Sequence, residues 1–208
     1  MSKPELLLPA GNIEAFHAAV EGGADAVYLG LKNFNARERA DNFTPAQLQT
    51  LLQEAEKRGI KVYLTLNIVI KNQELSGLLD TLYMLSQTSV SAVIIQDWGV
   101  YELIRNHFPK LKVHASTQMG NHNSLGALYS DKLGFERVIF ARELTTKEIA
   151  AIRKKSQVQV EMFVHGALCY SFSGMCLFSS YLGGMSANRG RCMQPCRRMY
   201  EDTGEKKY

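Results

Sequence analysis

Seven short apolar or β-branched runs alternate with six amphipathic stretches along the chain, and few architectures accept that order. The runs fall at 5–8, 26–30, 61–67, 92–96, 112–116, 137–141 and 158–164. The helical patterns fall at 13–21, 45–58, 74–86, 100–106, 124–133 and 146–155, each with apolar residues at three- and four-residue intervals. Thr44 ahead of Pro45, and Thr145 ahead of Lys147 and Glu148, place capping hydroxyls where two helices should start. Gly22, Gly23, Gly59 and Gly134 follow helical patterns and precede strands, the positions where a left-handed C-cap is expected. A strand–helix–strand succession of this kind predicts parallel strands joined by right-handed crossovers. The fold class is α/β, with a TIM-type (β/α) barrel as the leading architecture and an open doubly wound sheet as the alternative.

The barrel is expected to be incomplete at its C-terminus. Such barrels usually take about 250 residues, and beyond residue 164 the sequence turns glycine-rich with no eighth strand pattern. Residues 1–164 are read as barrel units, and 165–208 as a cysteine-rich segment continuous with the same domain. A longer natural protein is the favoured explanation. An irregular closure by the cysteine segment, or closure by a partner, are the others.

All four cysteines lie in that last segment, at Cys169, Cys176, Cys192 and Cys196, among Gly166, Gly174, Gly183, Gly184 and Gly190. Thiolates select soft metals, and glycines let a chain wrap closely round an inorganic core. Cys192 and Cys196 are spaced like half of a zinc site, but Cys169 and Cys176 are too widely spaced for the usual second half. Cluster, zinc and uncoordinated thiols therefore stay open on spacing, with an iron–sulfur cluster favoured.

A barrel forms its site at the C-terminal ends of its strands. The two-residue period of a strand puts His114 with Ser116, and Glu161 with Phe163 and His165, on common faces. Asn67, Gln96, Asp97, His114, Ser116, Gln118, Arg142, Glu143, Glu161 and His165 gather at the strand ends in this reading. Arg142 is the natural anchor for a small anion, because its planar fork binds carboxylate or phosphate through two donors.

The formal charge is +4, and residues 189–208 carry +3 of it, including Arg189, Arg191, Arg197 and Arg198. Either a solvated tail or an anion-binding patch fits. The N-terminal Met1-Ser-Lys-Pro-Glu-Leu-Leu-Leu-Pro lacks the apolar stretch of an export signal, and no run reaches the roughly 18 apolar residues of a membrane span. The expectation is a cytoplasmic protein in a reducing compartment, where clustered cysteines serve as ligands more often than as disulfides.

The run from Glu161 through His165, Cys169, Gly174 and Cys176 to Ser179 closely resembles the signature of the collagenase-like peptidase family U32. The segment Asn188-Arg-Gly-Arg-Cys192-Met-Gln-Pro-Cys196-Arg resembles its second block. Leu7-Leu8-Pro9-Ala10-Gly11 and Gly23-Ala24-Asp25-Ala26-Val27-Tyr28 resemble its opening. The resemblance implies a barrel holding an oxygen-sensitive [4Fe-4S] cluster. It implies Cys169, Cys176 and Cys192 as ligands, with Cys196 as the fourth thiolate this sequence offers. It also implies hydroxylation of a tRNA or rRNA pyrimidine with prephenate as hydroxyl source. Other members hydroxylate the ubiquinone ring, some work with a homologous partner subunit, and older descriptions call members proteases.

Under this reading Glu161 and His165 move protons. Asn67, Asp97, His114, Gln118 and Arg142 hold a small anionic donor, and Arg189 and Arg191 meet RNA phosphate. The peptidase alternative lacks both an H-E-x-x-H and a G-x-S-x-G motif. A cysteine committed to a cluster cannot also be an attacking nucleophile.

Overall fold

The computed structural model describes residues 3–201. Seven strands form one sheet in sequence order, every neighbouring pair parallel: β1 (Leu7–Ala10), β2 (Ala26–Gly30), β3 (Lys61–Leu66), β4 (Ala92–Ile95), β5 (Val113–Ala115), β6 (Arg137–Ile139) and β7 (Gln159–Glu161). Between them run α1 (Ile13–Glu21), α2 (Pro45–Lys57), α3 (Leu75–Ser86), α4 (Trp98–His107), α5 (Ser124–Leu133) and α6 (Thr146–Arg153). A seventh helix, α7 (Phe178–Gly183), lies in the cysteine segment.

The helix starts follow the sequence logic. Thr44 and Thr145 each close a capping box, with Gln47 and Glu148 returning a hydrogen bond to the cap. Asn12 caps α1 through Ala15 N, and Asp97 caps α4 through Gly99 N and Val100 N. Gly134 ends α5 in the left-handed region at φ 83°, which a residue with a Cβ enters only at a cost. Several boundaries differ from the sequence reading: β1 starts two residues later than the run at 5–8, and β7 stops at Glu161, so Met162, Phe163 and Val164 are exposed coil beyond the ladder.

Alternation divides the sheet into two faces. Val27, Leu29, Val62, Leu64, Leu66, Val93, Ile95, Val113, Ala115 and Val138 point outward and pack with the helices into the main core, together with Phe16, Leu48, Leu78, Leu82 and Ile104. Ala26, Tyr63, Ala92, Ile94 and Ile139 form a second, smaller cluster on the inner face. The sheet is curled, not flat. Arg137 on β6 reaches Glu5, just ahead of β1, at 2.7 Å, although five strand spacings in a flat sheet would separate them by roughly 24 Å. Tyr63 on β3 also donates to Glu5, at 2.8 Å.

This is a (β/α) barrel short of one strand. Among the described residues β1 and β7 have no pairing with each other, so the seam of the barrel lies between them. Arg137 Nη1 spans that seam from inside, holding Glu5 on one side at 2.7 Å and Glu161 of β7 on the other at 3.2 Å.

Candidate functional site at the barrel mouth

The cysteine segment folds back over the C-terminal ends of the strands and is fastened at several points. On one side the Ser173 amide and hydroxyl donate to Glu143, at 2.6 and 2.9 Å, and Arg142 Nη2 donates to the same hydroxyl at 3.3 Å. On the other, Arg189 binds the two Glu74 oxygens at 2.9 and 2.5 Å and the Val69 carbonyl at 2.7 Å. Arg191 grips Glu38 at 2.7 and 3.1 Å. Backbone bonds add Val69 N to Asn188 O and Glu38 N to Gly190 O. Asn188 Nδ2 then ties the two halves of the cap together through the Gly174 carbonyl at 3.2 Å.

These contacts set the carboxylates. Hydrogen bonds from Arg189 hold Glu74 at about 2, and those from Arg191 hold Glu38 below its ordinary range. At Glu143 partial burial works against ionisation, but the two Ser173 donors prevail and the group is also lowered. All three clamps are therefore formed between ionised carboxylates and the cap at neutral pH.

The structure separates the candidate residues. Arg142 and Gln118 lie under the cap: Arg142 sits 6.0 Å from the Phe163 ring, and the Gln118 carbonyl abuts Gly174. Asn67 and Asp97 are occupied by backbone: Asn67 Oδ1 accepts from Ala36 N, and Asp97 accepts from Gly99, Val100 and Ile70. Arg189 and Arg191 are engaged by barrel carboxylates and serve as clamps in this arrangement. Glu161 turns into the barrel interior against Arg137, whereas His165 stands exposed beyond the strand, and no hydrogen bond joins the two.

His114 lies inside the barrel, 1 % exposed, with its ring 4.7 Å from Tyr63 and Nε2 3.5 Å from Glu136. Burial, helped by the Arg137 charge, lowers its pKa from 6.5 to about 4. The folded protein keeps this ring neutral while the unfolded chain protonates it, so stability rises with pH across that interval. We expect a loss of about 3 kcal/mol as pH falls from 6.5 to about 4. Urea titrations at several pH values should show the slope flatten in His114→Gln; an unchanged slope would assign the effect to another group.

Arg137, His122 and Ser173 make interior or fastening contacts that the sequence reading passes over, whereas Glu143, which that reading gathers at the strand ends, here holds Ser173 of the cap. At the opposite, N-terminal end of the barrel is a cavity of about 330 Å³ lined by Lys61, Tyr63, Ser91, Lys112, Glu136, Arg137 and Gln159. Its lysines pair with Glu5 and Glu136 at 2.7 and 2.9 Å, so this end is lined by ion pairs.

All four cysteines are free thiols; Cys196 is exposed and the other three are half-buried. As a donor set they suit a soft metal. Their placement does not make a cage: among the described residues no three His, Cys, Asp or Glu side chains gather closely enough to hold an ion.

Fold and site together define a (β/α)-barrel protein with a thiol-bearing cap clamped over its C-terminal mouth. The chain belongs to peptidase family U32, whose model matches residues 11–207. It is 39% identical over 199 residues to the tRNA hydroxylation protein P1 of Bacillus subtilis, covering 96% of this chain and 47% of that one. It is 39% identical over 196 residues to a 23S rRNA 5-hydroxycytidine synthase of Escherichia coli, covering 94% of this chain and 29% of that one. A solved U32 peptidase superposes with a TM-score of 0.65 at 17% identity, covering 78% of this chain and 69% of the other, a likeness of fold. The chain thus spans about half the length, or less, of these two sequence relatives. No helix among the described residues is long and apolar enough to cross a membrane.

Proposed function

We propose that this chain is the barrel portion of an RNA-modifying hydroxylase that works at the capped mouth on a tRNA or rRNA base, with prephenate as the hydroxyl donor. The observation that carries the reading is the cap itself, four free thiols fastened over the strand ends by three carboxylate clamps. The names of relatives matched over nearly the whole chain support it. Arg142 is the cation for the carboxylate donor, held under the cap through Ser173. With Arg189 and Arg191 committed to the barrel, Arg197 and Arg198 are the exposed cap cations for phosphate, Arg197 lying 5.0 Å over the Tyr170 ring.

Cys169, Cys176 and Cys192, with Cys196 as the fourth thiolate, are the residues proposed to hold a [4Fe-4S] cluster, which would supply redox or Lewis-acid chemistry when bound. Forming it requires the cap to draw thiols together from their present positions. Anaerobic reconstitution should load about four irons, and Cys169→Ala or Cys176→Ala should abolish loading. Full iron retention in both variants, or stoichiometric zinc in a colourless protein, would remove the cluster from the proposal.

A cysteine-peptidase reading needs a thiol paired with an imidazole, and among the described residues no histidine is hydrogen-bonded to a cysteine. The deciding experiment is nucleoside mass spectrometry of total RNA from a strain deleted for the gene. Loss of one hydroxylated pyrimidine is the expected result; an unaltered nucleoside profile would overturn the RNA reading.

A further inference from the structure

Four buried side-chain atoms among the described residues have no hydrogen-bond partner: Gln96 Oε1, His114 Nδ1, His122 Nε2 and Arg142 Nε. Folded proteins pair nearly all such atoms, and an unpaired one beside a binding site is a donor or acceptor that a ligand can satisfy. Three of these four follow successive strands at the mouth: Gln96 directly after β4, His122 in the loop after β5, and Arg142 shortly after β6. Gln96 shares the inward face of Ile94 and is only 9% exposed.

The polarity of the three is informative. His122 Nδ1 lies 2.6 Å from the Gly120 carbonyl, which can only accept, so Nδ1 is the donor, and the tautomer this contact selects leaves Nε2 as the acceptor. The ring is stacked on Phe172 of the cap, with centroids 4.7 Å apart and planes 13° apart. Its closest carboxylate, Glu143, is 3.8 Å away and already takes two donors from Ser173. Gln96 Oε1 is likewise an acceptor. Two acceptors disfavour a carboxylate or phosphate, so they do not serve the anionic reactant, for which Arg142 is the cation. They suit a neutral ring that brings N–H groups.

We propose that Gln96 and His122 are specificity-determining residues that accept hydrogen bonds from the N–H edge of a pyrimidine turned out of an RNA loop into the barrel mouth. The assignment rests on the RNA reading above, which supplies the class of base. A base lifted out of its stack is read by hydrogen bonds to its Watson–Crick edge and by flanking ring contacts, and the His122–Phe172 pair stands beside that edge.

The test is equilibrium binding of the full chain to short RNA hairpins differing at one loop base. Uridine is compared with N3-methyluridine, and cytidine with N4,N4-dimethylcytidine, so that each analogue loses its N–H. The native chain should bind one unmodified hairpin at least about tenfold more tightly than its methylated counterpart. Gln96→Leu and His122→Phe should bring that ratio close to one, while Gln96→Glu, which keeps an acceptor, should preserve it. If hairpins bind but the native chain discriminates in neither pair, the inference fails and the RNA reading stands. If no hairpin and no tRNA binds at low salt, the RNA reading fails and takes the inference with it. If Gln96→Leu and His122→Phe both fold and keep the native ratio, these residues do not read the base and the inference fails; where either does not fold, Gln96→Met or His122→Leu is measured in its place.

Discussion

Replacing Arg137 by methionine is expected to destabilise the chain by about 3–5 kcal/mol, the cost of removing one partner from a buried ionic group. The guanidinium is a hub of contacts on the inner face of the sheet. Nη1 holds Glu5 and Glu161, Nε and Nη2 hold Gln159 at 3.1 and 2.8 Å, and its plane lies 5.1 Å over the Tyr63 ring. Burial would raise the Glu5 carboxyl, but hydrogen bonds from Arg137, Lys61 and Tyr63 hold it at about 2. Glu161 is different: burial prevails and leaves its pKa raised even with Arg137 present.

Without the arginine Glu5 keeps two donors, whereas Glu161 is left as a buried carboxylate with no cation. The variant should therefore lose most stability as pH rises above about 4.5, since a raised carboxylate favours the fold only while protonated. Pairing Arg137→Met with Glu161→Gln should recover part of the loss, because removing both partners leaves no stranded charge. Denaturant titrations at pH 5 and pH 8 would measure both effects. A loss below about 1 kcal/mol would mean that the seam is held by backbone and packing alone.

The course of the barrel is legible because each part of it is local. Capping hydroxyls at Thr44 and Thr145, the glycine at 134 and the two-residue period of the inner face all act within a few residues of their cause. The family resemblance was legible for the same reason, since cysteine spacing is a short-range pattern. Partnerships were not. Arg137 looks like an ordinary charged residue opening a strand until curling brings Glu5 to it across 132 positions.

The basic run near the C-terminus fits a solvated tail or an anion-binding patch, and the hydroxylase reading gives Arg189 and Arg191 to RNA phosphate, yet they find carboxylates 115 and 153 residues earlier. No periodicity marks His122, in a loop of small polar residues; its one sign is an unpaired nitrogen visible only in three dimensions. Charge and residue type tell what a side chain can do, and the fold decides which partner reaches it first.

Gly174→Ala is expected to release the cap while leaving the barrel folded. Gly174 adopts φ +79°, where an L-residue costs about 1–2 kcal/mol, and its added Cβ would fall inside the contact distance of the Gln118 carbonyl, a backbone atom with no freedom to swing aside. The neighbouring Ser173–Glu143 contact and the Asn188–Gly174 bond depend on the same close approach. Gly184 is the internal control. It is also left-handed, at φ +65°, but nothing lies within 4 Å of its would-be Cβ, so Gly184→Ala should carry the backbone cost alone.

The two variants should share a far-ultraviolet spectrum and a barrel melting transition close to the parent's. Only Gly174→Ala should show faster thiol labelling at Cys169 and Cys176 and new proteolytic cuts within 166–190. Equal labelling and cutting in both variants would place the cap's hold in the Arg189 and Arg191 clamps. The docking of Gly174 on Gln118 would then be a consequence of closure and not its cause.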